Sequence, residues 1–168
     1  RLVRVPADLP GHRFEVLPSL GIVPEISHAR VRFDAVCLDR EAVLPGDGYM
    51  TGMKPFRSLE DLYVSAAFLA WLFGVGRRNA WPRDILVELF ALLTSARGLG
   101  SAPALEPSSH IALAGLLAQV AEVLARCDPL FDALDPALRE AWRRDRAILT
   151  IAQSAREKRF GAAWRSFE

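Results

Sequence analysis

The sequence predicts an α+β fold: a short β segment over residues 1–54, followed by a mainly α region over 55–168 that closes as a four-helix bundle. Three observations carry this expectation. Six of the 11 prolines fall at or before residue 55, where they punctuate short runs of alternating polar and apolar residues. Beyond residue 57 the apolar spacing becomes three and four. Helix start and stop residues then recur between the apolar stretches.

In chain order, Leu2-Val3-Arg4-Val5, His12-Arg13-Phe14-Glu15-Val16 and Ala29-Arg30-Val31-Arg32-Phe33 alternate and carry β-branched and aromatic residues, so each reads as a strand. Pro45-Gly46-Asp47-Gly48 reads as a turn. Ser58, with Asp61 three places on, reads as the cap of a first helix that runs to about Gly76. That helix is apolar on nearly every side, the pattern of a fully buried helix. Pro82 and Asp84 open a second helix that ends at Gly98 and Gly100. The segment from Leu99 to Pro107 reads as a loop, and Ser108 or Ser109 as the cap of a third helix from Ile111 to about Arg126. Asp135-Pro136 supplies an N-cap and an N1 proline for a fourth, running towards Phe160.

A hydrophobic fraction of 51% and a charged fraction of 24% are enough to build a core. The net charge of +1, from 21 basic and 20 acidic residues, argues against a dedicated nucleic-acid binder. Cys37 and Cys127 are too few and too far apart for a disulfide framework or a CxxC metal site, so the expected setting is reduced and cytoplasmic. No run of about 18 uncharged apolar residues occurs, so no membrane span is expected. The first residues do not read as a signal peptide, and a start at Arg1 without methionine suggests truncation or processing upstream.

Val31-Arg32-Phe33-Asp34-Ala35-Val36 followed by Leu44-Pro45-Gly46-Asp47-Gly48-Tyr49 resembles the acyl-CoA dehydrogenase family, where the last strand of a middle β domain leads through a Gly-rich turn into a C-terminal helical bundle. Leu17-Pro18-Ser19-Leu20-Gly21-Ile22 is similar to the segment one strand earlier, and Arg144-Asp145-Arg146-Ala147-Ile148-Leu149-Thr150-Ile151 resembles the run before the family's usual catalytic Glu-Gly-Thr. The resemblance spans most of this chain but only the C-terminal part of the family. It implies that residues 1–54 are the end of a truncated middle β domain and residues 55–168 the bundle. The function it implies is flavin-dependent oxidation of acyl-CoA thioesters, with FAD as cofactor.

In such a reaction a carboxylate removes the α proton while flavin takes the β hydrogen as hydride. At the usual base position this sequence has Gln153, then Ser154 and Ala155; glutamine is neutral and does not accept that proton. Some members carry the base on the first long bundle helix instead, and Leu59-Glu60-Asp61-Leu62 falls there, which makes Glu60 the candidate alternative base. Asp61 departs from the arginine common at that place, and Arg57 is a possible substitute for its charge. The competing reading is that Glu60 and Asp61 are simply first-turn acids favoured by the helix dipole.

The family's Arg-x-x-Phe-Gly segment, which reaches a neighbouring subunit's flavin, corresponds to Arg77-Arg78-Asn79-Ala80-Trp81-Pro82 and lacks its pattern. Its glycine loop is replaced by Cys127-Asp128-Pro129-Leu130-Phe131. The alternative function is therefore a non-catalytic homologue acting as a partner or scaffold subunit. Both readings imply an incomplete molecule that associates with another copy, a different chain, or a missing N-terminal half.

The remaining features have plainer readings. The arginines of the C-terminal helix, among them Arg143, Arg156 and Arg159, are interrupted by Glu140, Asp145 and Glu157 and read as a solvated face, even with Trp142 and Trp164 present. His12, His28 and His110 lack metal-ligand spacing. Both cysteines read as small buried apolar residues, and Ser108-Ser109-His110 is not a triad merely by adjacency.

Overall fold

A computed structural model describes all 168 residues. The chain is α+β and predominantly helical. It forms two compact units, Arg1–Lys54 and Pro55–Glu168.

The first unit holds one antiparallel hairpin, β1 (His12–Val16) and β2 (Ala29–Phe33), paired with Phe14 opposite Val31. The third strand expected at Leu2–Val5 does not form. Val3 makes only an isolated bridge to Val43, fixed by Arg4 N–H donating to the Ala42 carbonyl at 2.8 Å and Leu44 N–H to the Leu2 carbonyl at 2.9 Å. Pro6 cuts this run short, because proline lacks the N–H that would extend the ladder. At the turn before the helices Gly46 has φ +83°, which glycine adopts without strain.

The second unit contains α1 (Lys54–Arg78), α2 (Arg83–Leu99), α3 (Pro107–Phe131), α4 (Pro136–Asp145) and α5 (Gln153–Trp164). Ser58 is not a cap. A π turn over Tyr49–Met53 runs directly into α1, and the Asp47 carboxylate accepts from the Tyr49 N–H at 2.8 Å and the Met50 N–H at 3.2 Å. Helical structure thus starts a full two turns upstream of Ser58.

Nor is α1 buried all round. Its buried residues Ser58, Asp61, Leu62, Ser65, Leu69, Leu72, Val75 and Gly76 form one stripe at spacings of three and four, while Phe56 and Tyr63 lie exposed. By length and composition alone, the helical stretch Tyr49–Arg78 and α3 are each long and apolar enough to cross a membrane. The sequence expectation asked instead for an unbroken uncharged run, which neither helix contains. Within this unit their inner stripes pack into the protein core.

The third helix starts at Pro107 with Glu106 as N-cap residue, so Ser108 and Ser109 lie inside it, and it extends past Pro129 to Phe131. The Asp135 carboxylate caps α4 as expected, accepting from the Ala137 and Leu138 N–H groups. The single fourth helix, however, is broken by a 3-10 segment over Arg146–Thr150. There Thr150 Oγ1 donates to the Ala147 carbonyl at 2.8 Å, and the Arg156 guanidinium donates to the Leu149 carbonyl, so side chains take acceptors that a continuous helix would use.

The core of this unit joins Leu69 and Leu72 of α1, Leu89 and Leu92 of α2, and Val120 and Val123 of α3. At one end Phe131 stacks on Trp142 with centroids 4.8 Å apart, and Trp71 lies 5.8 Å from Phe131. The Trp142 indole donates to Asp128 at 2.9 Å, so its polar atom is satisfied inside the stack.

Candidate functional site

Glu60 and Asp61 are neighbours on α1 with opposite fates. One residue turns a helix by about 100°, so Glu60 lies exposed while Asp61 enters the buried stripe and retains only 5% exposure. The Asp61 carboxylate accepts from Arg156 Nε at 3.0 Å and Nη2 at 2.9 Å, and from the Arg159 guanidinium. Neither acid belongs to the first helical turn, so the dipole explanation fails for both. The charge facing Asp61 comes from α5 rather than from Arg57, which is exposed. Arg156 and Arg159 consequently leave the solvated face to which they were assigned.

Gln153 begins α5. It is exposed, and its Nε2 donates to Glu157 Oε1 at 3.1 Å. It lines a groove of about 460 Å3 between α3 and the segment from Arg146 to Phe160. One wall is apolar, built by Leu117, Val120, Ala121 and Leu124; the other carries Arg146, Thr150, Gln153, Arg156 and Glu157. Glu60 does not line this groove. The two candidate positions are therefore not brought to one cavity; the carboxylate that lines the groove is Glu157, which accepts from Gln153, while Asp61 lies outside the lining and is engaged by two guanidiniums.

Those guanidiniums are the residues that sequence reasoning missed. Arg156 and Arg159 are spaced i, i+3, which puts both on one helical face, but their target lies 95 and 98 residues away. A second long-range pair was also missed: Ser58 Oγ lies 3.5 Å from His110 Nδ1.

The two segments that the resemblance would set at a flavin do not fit one. Cys127–Phe131 is the closed last turn of α3, with Cys127 and Phe131 fully buried, so its backbone is not open to a pyrophosphate. Burial, followed by the charge of Asp128, pushes the Cys127 thiol up to about 12. Cys37, by contrast, is exposed, contrary to its reading as a buried residue. In the other segment Ala80 adopts φ +50°, and Trp81 folds back over Gly76 and meets Phe131 edge-on at 5.3 Å. A Cβ on Gly76 would lie 2.8 Å from the Trp81 ring. Trp81 Nε1 is buried without a hydrogen-bond partner. This segment is a packing corner, and no catalytic step through flavin follows from it.

Comparison with protein-family models, curated proteins and solved structures finds no match to this chain.

Proposed function

We propose that this chain is a non-catalytic relative of the acyl-CoA dehydrogenases that serves as a partner or scaffold subunit. One observation carries the reading: Gln153, which the resemblance sets at the usual base position, is a neutral side chain on a groove wall, while the candidate substitute Glu60 is exposed and outside that groove. Proton abstraction needs a carboxylate facing the reacting carbon, and neither position supplies one; Glu157, the carboxylate on the groove wall, is held by the Gln153 amide at 3.1 Å. Asp61 does not replace them, because its two oxygens are committed to Arg156 and Arg159. In this proposal the chain works in the cytoplasm and associates with another copy, a different subunit, or an N-terminal half supplied separately.

A second reading, a flavin-dependent oxidoreductase acting on acyl-CoA thioesters, draws support from the apolar α3 wall beside Gln153, whose about 460 Å3 would suit an aliphatic chain. In that reading Glu60 is the base and FAD is completed by other sequence. An assay with acyl-CoA, added FAD and an electron-accepting dye separates the two. The scaffold reading predicts no dye reduction above background. Turnover that is lost in Glu60→Gln would overturn it.

A further inference from the structure

We propose that the β1 edge is a homodimer interface, at which β1 of one copy pairs antiparallel with β1 of a second copy about a two-fold axis through Phe14. This goes beyond the scaffold reading and uses neither the groove nor flavin.

The hairpin is two-stranded, so both its edges are free. Asp34 N–H donates to the Gly11 carbonyl at 2.7 Å and Leu17 N–H to the His28 carbonyl at 2.8 Å. These bonds set the alternation of the ladder: Arg13 and Glu15 direct their backbone groups towards β2, while His12, Phe14 and Val16 direct theirs outward. The outer edge of β1 therefore offers a regular row of donors and acceptors. Its side chains are segregated too. His12 and Phe14 meet at 5.1 Å on one face, where Phe14 is 62% and Val16 76% exposed. On the other face Glu15 reaches Arg30 at 3.2 Å.

A two-stranded hairpin of this kind is marginal in water and gains from further strands. Charge selects the occupant. When two copies of β1 pair about Phe14, Arg13 of each copy stands opposite Glu15 of the other, and Phe14 stands opposite Phe14. The two Arg13–Glu15 pairs are non-hydrogen-bonded pairs, where side chains lie closest. Arg13 has no acidic partner within its own chain, so it is available for this role. Shifting the axis to Arg13 or to Glu15 sets like charges face to face. β2 is unsuited to the same pairing, because an axis through Val31 puts Arg30 opposite Arg32. The interface is thus self-complementary in one register, as a two-fold contact requires.

Sedimentation equilibrium of the full 168-residue chain is the test. A concentration-dependent dimer is expected. Arg13→Glu should weaken it at least about tenfold, because two attractions become two repulsions, while the circular dichroism of the dilute monomer keeps its shape, since Glu at this position faces Arg32 within its own hairpin. Combining Arg13→Glu with Glu15→Arg and Arg30→Glu, the last keeping opposite charges across the protein's own hairpin, should restore association. In a Cys37→Ser background, Phe14→Cys should form an intermolecular disulfide on oxidation. A monomer at all concentrations overturns the proposal. So does a dimer that is indifferent to Arg13→Glu and fails to cross-link through Phe14→Cys, because that result places the interface elsewhere.

Discussion

Asp61 of α1 and Arg156 of α5, 95 residues apart in sequence, meet at 2.9 Å, and Arg159 closes on the same carboxylate from the next turn of α5. The charges are largely withdrawn from water, with side-chain exposures of 6% for Asp61 and 17% for Arg156. Such a pair is a weak source of net stability but costly to break, because removal of one partner leaves the other buried and uncompensated.

Asp61→Asn is therefore expected to cost about 3 kcal/mol, a fall in Tm of roughly 10 °C. Arg159→Met should cost less, since Arg156 still holds the carboxylate through two nitrogens. Thermal denaturation followed by circular dichroism checks both. An unchanged Asp61→Asn melt would mean that the pair does not hold α5 to α1.

The two thiols should differ sharply. Cys37 is exposed and Cys127 fully buried, so a thiol reagent should label the first within minutes and the second only after denaturation. The unfolded Cys127 thiol titrates near 9.0 and the folded one at about 12, so the folded state holds the proton more tightly. The stability linked to this group is intact below pH 9 and is lost as pH rises from there towards 12. Denaturant titrations across that range should show a steeper decline for the wild type than for Cys127→Ala.

The aromatic stack gives a graded series. Trp142→Ala removes the ring that contacts Phe131 and Trp71 and is expected to cost about 3–5 kcal/mol. Trp142→Phe keeps a ring there but leaves Asp128 without its indole donor, for about 1 kcal/mol. Near-ultraviolet circular dichroism should collapse in the first variant and only weaken in the second.

Loss of the α4 cap should be local. Asp135→Ala is expected to cost about 1 kcal/mol. Hydrogen exchange should show lost protection at Ala137 and Leu138, whose N–H groups the carboxylate accepts, while the α2 core stays protected.

What the sequence made legible was local. Alternation identified the His12–Val16 and Ala29–Phe33 strands, Asp135-Pro136 identified the start of α4, and the apolar spacing of Ile85, Leu89 and Leu92 identified α2. Wherever a distant partner decided the outcome, local signals misled. Ser58 has the chemistry of a cap, but Asp47 reaches the free N–H groups first. The last helix looked continuous because nothing nearby announces that Arg156 will reach back to the Leu149 carbonyl. Asp61 looked like a dipole-favoured surface acid, because its partners lie on a helix with no sequence link to it. At the candidate site, sequence singled out Gln153 and Glu60, but the exposure of Glu60 beside the burial of Asp61 follows from which face of α1 the rest of the unit covers.

The central proposal is that the chain is a non-catalytic relative of the acyl-CoA dehydrogenases that serves as a partner or scaffold subunit. Its most direct test is a visible absorption spectrum of the full-length natural protein, purified gently, concentrated, and measured again after incubation with FAD. The account predicts no bound flavin band and none acquired on incubation. A stoichiometric flavin band that bleaches when acyl-CoA is added, and no longer does so in Glu60→Gln, would contradict it.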